Sequence, residues 1–137
     1  MAHPFPSEGW LEAFEGTLNN DERYAKVAAK WEGDFMFVIE PDEDSEDPEI
    51  WYYMDLWHGK CRDSFVVEPG SEDAPKPQFT LRASRKQFMR VLKGELDPMQ
   101  AMLTRRLRVE GNMAYMLRNV PVVLDFVRCA GSIEIAD

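Results

Sequence analysis

Long apolar runs are absent from this sequence of 137 residues. Its uninterrupted apolar stretches are a few residues long, far short of the roughly 20 that a helix needs to cross a bilayer. The start, MAHPFPSEGW, lacks a basic segment followed by an apolar one, so we expect no secretory signal. Cysteine is scarce: Cys61 and Cys129 give no framework of disulfides and suit a reducing compartment. We therefore expect a cytoplasmic protein.

Positive charge is also in short supply. Lys and Arg number 16 against 25 Asp and Glu, a net charge of −9, which argues against nucleic acid as a partner because phosphate contacts need a basic face. Residues 82–128 are the exception, with ten basic side chains and four acidic ones. These basic side chains are either ordinary solvated helix surface or a landing site for an anionic head group during transient membrane contact. The head-group candidates are Arg85, Lys86 and Arg90.

Motifs of catalysis and cofactor binding are missing as well. The sequence has no nucleophile elbow, no Gly-rich phosphate loop and no HExxH helix, so we expect no cofactor. The acidic segment 41–49 lacks the glycine and the twelve-residue register of a calcium loop. His58 and Cys61 form an H-x-x-C pair that supplies only two metal ligands. We therefore expect no metal site.

One carboxylate among aromatic side chains keeps an enzyme hypothesis open. Asp55 lies in the segment IWYYMDLW, where burial would raise its pKa and suit acid–base chemistry. An ion pair with Arg62 across a hairpin explains the same residue without catalysis. An enzyme using Asp55, His58 or Cys61 is therefore a weaker hypothesis than a non-catalytic role in ligand binding or assembly. We expect no catalytic site.

The composition that is present favours a folded domain. Apolar residues make up 45% of the chain and aromatic residues 12%, enough to build a core in a chain of this length. Along the chain, the apolar pattern predicts helices first and then three strands. A fourth strand, two or three helices, a further strand and more helix follow. This order predicts an α+β fold with the helices gathered on one face of a sheet.

Two segments are apolar on both faces of a strand. Residues 35–39 read FMFVI and residues 50–57 read IWYYMDLW, so we expect strands that are covered on both sides. The second face then needs another layer or a partner chain. A module that assembles into a homodimer through its sheet is accordingly an alternative function.

The most regular pattern lies between residues 79 and 120. Ser84 and Asp97 stand where helix N-caps are expected, each with a glutamine three residues later, and Pro98 suits a first helical position. Five of the eight methionines lie between Met89 and Met116. Because methionine adapts to irregular apolar space, these helices are either ordinary core or one wall of a ligand cavity. Their spacing does not separate the two.

Three motifs in this region resemble the sterol carrier protein 2 family: FTLRAS at residues 79–84, VLKGELDPMQAML at residues 91–103 and LRVEGNM at residues 107–113. Two departures are visible. Arg105 and Arg106 stand where many members have a small residue and a glycine, and Asn112 replaces an acidic residue, which is a mild change because Asn also caps helices.

The resemblance implies a single sterol-carrier-like domain over residues 1–137. It implies a five-stranded mixed or antiparallel sheet, with helices on one face and an apolar tunnel between them. It further implies non-catalytic binding, and possible transfer, of a sterol, fatty acid or fatty-acyl thioester. The residues expected to form the tunnel wall are Phe88, Leu92, Met99, Met102, Leu103, Met113, Met116, Leu117 and Val120, with Trp51 and Tyr53 from the sheet.

Overall fold

A computed structural model describes residues 2–136, which contain six helices and five strands. The helices are α1 (Glu8–Asn20), α2 (Glu22–Val27), α3 (Arg85–Leu92), α4 (Pro98–Leu103), α5 (Met113–Arg118) and α6 (Val120–Gly131). The strands are β1 (Phe35–Glu40), β2 (Ile50–Trp57), β3 (Lys60–Val67), β4 (Phe79–Ser84) and β5 (Arg108–Glu110). The prediction of an α+β fold is confirmed.

Side-chain caps determine where most of the helices begin. Ser84 accepts a hydrogen bond from the backbone N–H of Gln87, and Asp97 accepts one from that of Gln100. Asn112 caps α5 in the same way. These bonds satisfy backbone donors that the first helical turn leaves free. Helices α2, α4 and α5 have only six residues each, so each presents a short apolar stripe.

The five strands form one mixed sheet in the order β3-β2-β1-β4-β5. Strand β1 pairs with β4 in parallel, and the other neighbouring pairs are antiparallel. The prediction of a five-stranded sheet is therefore confirmed. A two-residue turn joins β2 to β3, with positive φ at His58 and Gly59. A Cβ on Gly59 would lie 2.7 Å from the carbonyl oxygen of Ala25, so this turn requires glycine.

The sheet has an inner face, which the helices cover, and an outer face. On the outer face Met36, Val38 and Val67 are buried, and Trp51, Tyr53 and Ala74 pack against them. Ala74 belongs to the segment between β3 and β4, which crosses this face. The second layer expected for the two-sided strands is thus supplied within the chain by that segment and by aromatic side chains.

None of the helices within residues 2–136 is both long enough and apolar enough to cross a membrane. Cys61 and Cys129 are both buried free thiols.

Candidate functional site

An apolar cavity of about 90 Å³ lies between the inner face of the sheet and the helices. Its wall combines aromatic side chains from the N-terminal region and the sheet with aliphatic ones from the later helices. The wall residues are Phe5, Trp10, Phe14, Tyr24, Trp31, Phe35, Phe37, Ile39, Tyr52, Met54, Leu56, Leu81, Phe88, Val91, Leu92, Pro98, Met102, Leu107, Met116, Val122, Val123, Phe126, Val127 and Ala130.

Aromatic rings hold the two layers apart at one end of this cavity. Phe126 of α6 lies 4.9 Å from Phe14 and 5.8 Å from Phe37, measured between ring centroids. Phe37 belongs to the central strand and is still only partly buried. Rigid rings on facing layers leave gaps that flexible side chains would fill, and the six-residue α4 covers little of the sheet. The cavity follows from this packing.

The accessible part of the wall lies on the later helices. Leu92 of α3, Met102 of α4 and both Val123 and Val127 of α6 line the cavity and are partly exposed. The wall residues of α1 and β2, by contrast, are buried. The wall is therefore least covered at α3, α4 and α6.

Two polar groups of the described wall have partners within the chain. The Tyr52 hydroxyl donates to the carbonyl oxygen of Ser7 at 2.6 Å, and the Trp31 indole N–H donates to that of Gly33 at 2.9 Å. Burial raises the pKa values of Tyr24 and Tyr52, so both remain neutral phenols at physiological pH. The indole N–H of Trp10 is different, since this nitrogen is fully buried and lacks a hydrogen-bond partner within residues 2–136.

Four of the predicted wall residues do line the cavity: Phe88, Leu92, Met102 and Met116. Five others lie outside it. Leu103 and Leu117 are 80% and 54% exposed, and Met99, Met113 and Val120 are partly buried elsewhere. Short helices explain the difference, because the apolar spacing continues around α4 and α5 past the stripe that faces the sheet. Which of these side chains contacts a ligand stays a prediction.

Trp51 and Tyr53 lie on the outer face, so their predicted place in the wall is wrong. Strand alternation puts Tyr52, Met54 and Leu56 on the inner face instead. The Tyr53 hydroxyl donates to the carboxylate of Asp34 at 2.7 Å, and the Trp51 indole N–H donates to that of Glu49 at 3.0 Å. Both faces of β2 are apolar in sequence, which is why the pattern alone did not choose between them.

Sequence analysis missed the N-terminal half of the wall. Trp10 and Phe14 come from α1, and Phe5 precedes that helix. The helical spacing of Trp10, Leu11, Phe14 and Leu18 gave a usable signal for a buried stripe. It could not show that two of these four side chains border a cavity while Leu11 and Leu18 fill core.

The basic head-group candidates do not line the apolar cavity. Arg85 donates from its Nε to the carbonyl oxygen of Phe5 at 2.8 Å and borders a separate outer cleft beside the acidic loop. Lys86 is exposed, and the Arg90 guanidinium lies 3.5 Å from the side-chain oxygen of Gln87. Phe5 and Ile39 border both the cleft and the cavity, so the two spaces adjoin at these residues.

Asp55, His58 and Cys61 each have a different set of partners. Asp55 receives two hydrogen bonds from Arg62, both at 3.1 Å, as the ion-pair interpretation predicted. His58 contacts Glu32 at 2.6 Å. Cys61 is buried beside Glu15, and burial raises the pKa of its thiol to about 12. A thiol with that pKa is a poor nucleophile at physiological pH, so this set gives the enzyme hypothesis no geometric support.

Comparison with known proteins matches the model of the SCP-2 sterol transfer family to residues 9–123. A crystal structure of sterol carrier protein 2 is 29% identical, with a TM-score of 0.82, over 93% of this chain and 97% of that one. A solution structure of a conserved hypothetical protein from Thermus thermophilus, described as a candidate sterol carrier protein, is 28% identical. Its TM-score is 0.81, over 95% of this chain and 90% of that one.

A solution structure of the sterol carrier protein domain 2 of Helicoverpa armigera is 20% identical, with a TM-score of 0.59, over 99% of this chain and 100% of that one. This likeness shows a shared fold. None of the curated proteins compared with this chain matches its sequence.

Proposed function

This chain belongs to the SCP-2 sterol transfer family, and on that premise we propose that it binds one apolar lipid between its sheet and its helices and releases it unchanged. Family membership supports binding or transfer of an apolar lipid in general. The observation that carries the proposal for this chain is the apolar cavity under α3, α4 and α6.

The free energy of binding comes from burial of the lipid chain. Each methylene group removed from water contributes ~0.8 kcal/mol before the costs of ordering are subtracted. A long acyl chain or a sterol ring system therefore reaches useful affinity without any ionic contact. Removal from water is also reversible, which a carrier requires.

The cavity must widen to hold a whole lipid. Its volume of about 90 Å³ is smaller than the roughly 150 Å³ of an engineered apolar cavity that admits benzene. We propose that α3, α4 and α6 move apart, because their wall residues Leu92, Met102 and Val123 are partly exposed. Methionine at this position can change rotamer at low cost. A continuous tunnel would form only in that widened state.

A binding titration tests the proposal. Protein stripped of lipid by organic extraction and refolding is titrated with a fluorescent fatty-acyl probe, and unlabelled sterols and fatty acids compete with the probe. We expect saturation at one probe per chain. Native mass spectrometry of freshly purified protein should show the mass of a co-purified lipid. If the wild-type chain binds none of the lipids tested, the proposal is refuted.

A matched pair of variants locates the binding site. Val123→Phe places a ring into the cavity, and we expect affinity for the probe to fall about tenfold or more. Val27→Phe makes the same change in α2, where the valine is 36% exposed and lies outside the cavity wall. Its affinity should stay within about twofold of the wild-type value, since surface changes have small effects. Equal losses in both variants would exclude the cavity as the site.

We further propose that the entrance faces a membrane while lipid is exchanged. Leu103, Leu117 and Leu124 are 80%, 54% and 42% exposed, and each directly follows a residue of the cavity wall in sequence. Exposed apolar side chains of this size favour an apolar partner. Arg105, Arg106 and Arg118 are exposed nearby in sequence and would attract anionic lipid head groups.

Sedimentation with vesicles tests this contact. The wild-type chain should bind vesicles that contain phosphatidylserine more strongly than neutral ones, and added salt should weaken the binding. Changing Leu103 and Leu117 together to Gln should reduce vesicle binding several-fold. Val66→Gln alters an apolar residue that is 42% exposed on the edge strand β3 and should change little. Unaltered binding by the double variant would contradict this orientation.

Assembly through the sheet is the second candidate function. Its supporting observation is that Phe65 of the edge strand β3 is 39% exposed and lies beside Tyr53 on the outer face, 5.0 Å between ring centroids. Native mass spectrometry reports the number of chains per particle. A dimer that holds no lipid would favour this function over the carrier.

A further inference from the structure

The Trp10 side chain combines burial with an unused hydrogen-bond donor. It is only 4% exposed and forms part of the cavity wall. Its indole nitrogen is the one buried side-chain N or O atom without a partner in the part of the chain that the structure describes. Folded proteins pair nearly all such groups, because an unpaired buried donor has lost its hydrogen bond to water. A donor left in this position therefore indicates a partner from outside the chain.

Two other indoles that are buried or partly buried, those of Trp31 and Trp51, differ from Trp10. Trp31 belongs to the same wall, and its N–H donates to the carbonyl oxygen of Gly33. Trp51 lies on the outer face and donates to Glu49. The fold thus provides acceptors for these two indoles, while the N–H of Trp10, in the wall of the cavity, has none.

Water is a poor partner for this donor. A buried water molecule needs two to four polar partners, and the wall offers aromatic and aliphatic side chains around Trp10. Phe5 lies 4.8 Å from Trp10 between ring centroids, and Phe14 lies 5.1 Å away. The neighbouring Tyr52 hydroxyl already donates to Ser7. An oxygen atom that belongs to a lipid does not need two to four polar partners, because burial of the apolar part of the lipid holds it in place.

The charge of the wall limits the chemistry of that oxygen. None of the described wall residues carries a charge, so a carboxylate placed there would lose its hydration without gaining a counter-charge. Arg85 borders the separate cleft and is not part of the cavity wall. An alcohol brings an O–H group that itself needs an acceptor, whereas a carbonyl oxygen only accepts.

We infer that the cavity takes a neutral lipid with a carbonyl group, such as an ester, a thioester or a ketone, and that the indole N–H of Trp10 donates a hydrogen bond to that carbonyl oxygen. This inference rests on the proposed function and specifies the ligand class of the same site. It assigns Trp10 the part of a specificity-determining residue, with the apolar chain extending toward α3, α4 and α6.

Matched ligands and matched variants test the inference. A fatty-acid methyl ester and the hydrocarbon of equal chain length each compete with the fluorescent probe. The wild-type chain should prefer the ester by about three- to tenfold, the range expected for one net hydrogen bond. Trp10→Phe keeps a ring but removes the N–H, so the preference should fall to about one. Trp51→Phe removes a paired indole N–H on the outer face, outside the cavity wall, and the preference should survive.

Nuclear magnetic resonance of the wild-type chain provides a test that needs no variant to fold. The indole N–H signal of Trp10 should move downfield when the ester binds and should stay in place when the hydrocarbon binds. An unmoved signal, or an ester preference that persists in Trp10→Phe, overturns the inference. Equal affinities of the wild-type chain for ester and hydrocarbon overturn it as well, while the proposed function stands. If neither lipid binds, the proposed function and the inference both fail.

Discussion

The two faces of the sheet use the same kinds of residues for different ends. Strand β2 alternates aromatic side chains between them, with Tyr52 inside and Tyr53 outside. On the outer face the polar ends of Trp51 and Tyr53 bind carboxylates of their own chain, and the segment around Ala74 packs over the apolar parts. On the inner face the helices leave a cavity, and the buried indole N–H of Trp10 in its wall has no partner within residues 2–136.

This comparison teaches that apolar content does not indicate where a ligand binds. Both faces carry large aromatic side chains, and both would satisfy a search for hydrophobic strands. They differ in how they are covered. A loop and its side chains can pack closely against a sheet face, whereas short rigid helices contact a five-stranded sheet at only a few positions. The inner face therefore keeps unfilled space and, we propose, the ligand.

The largest expected effect compares neighbouring tyrosines on the two faces. Tyr52 is 2% exposed and packs against Trp10, so Tyr52→Ala should lower the free energy of unfolding by about 3–5 kcal/mol. Tyr53 is only partly buried, and Tyr53→Ala should cost about 1–2 kcal/mol. Urea denaturation of both variants measures the difference. Similar costs would mean that the two faces contribute equally to stability.

A smaller effect concerns an ion pair between α6 and the cap of α2, in the helix layer that covers the cavity. Arg128 of α6 donates to Asp21, the cap of α2, at 2.7 Å. That hydrogen bond, followed by one from the backbone of Tyr24, lowers the pKa of Asp21. A lowered folded-state pKa stabilises the fold above the pKa of the unfolded chain, and this contribution is lost as the pH falls through the folded value.

Asp21→Asn isolates this contribution, because Asn also caps helices. The variant should melt below the wild-type chain at pH 7, and the gap should shrink as the pH falls below the ordinary Asp pKa of about 3.9. Thermal unfolding followed by circular dichroism across this pH range measures both melting temperatures. A gap of constant size would show that the charge of Asp21 is not its cause.

The sequence predicted the elements better than it predicted their faces. Caps at Ser84, Asp97 and Asn112 are local, since each joins a side chain to a backbone N–H three residues on. The central position of residues 35–39 also followed from their two-sided hydrophobicity. Strand β5 covers only Arg108–Glu110, because the preceding residues complete the turn after α4.

The cavity wall was only partly predictable. Phe88, Leu92, Met102 and Met116 were found because they belong to strongly periodic helices. Trp10 has the helical spacing of a buried stripe, and its unpaired N–H depends on which atoms lie around the indole. Trp51 and Tyr53 were placed on the wrong face, since alternation fixes which side chains share a face and leaves open which face meets the helices.

By itself the sequence determined the helices, the strands and the α+β class, because capping bonds and apolar periodicity act over a few residues. Its family motifs added the expectation of a lipid. Only the tertiary structure decided which face of β2 is covered by helices, where packing leaves space and which polar groups go unpaired. Those properties arise where segments distant in sequence meet, as Trp10 of α1 and Tyr52 of β2 do, and no local pattern encodes the fit between them.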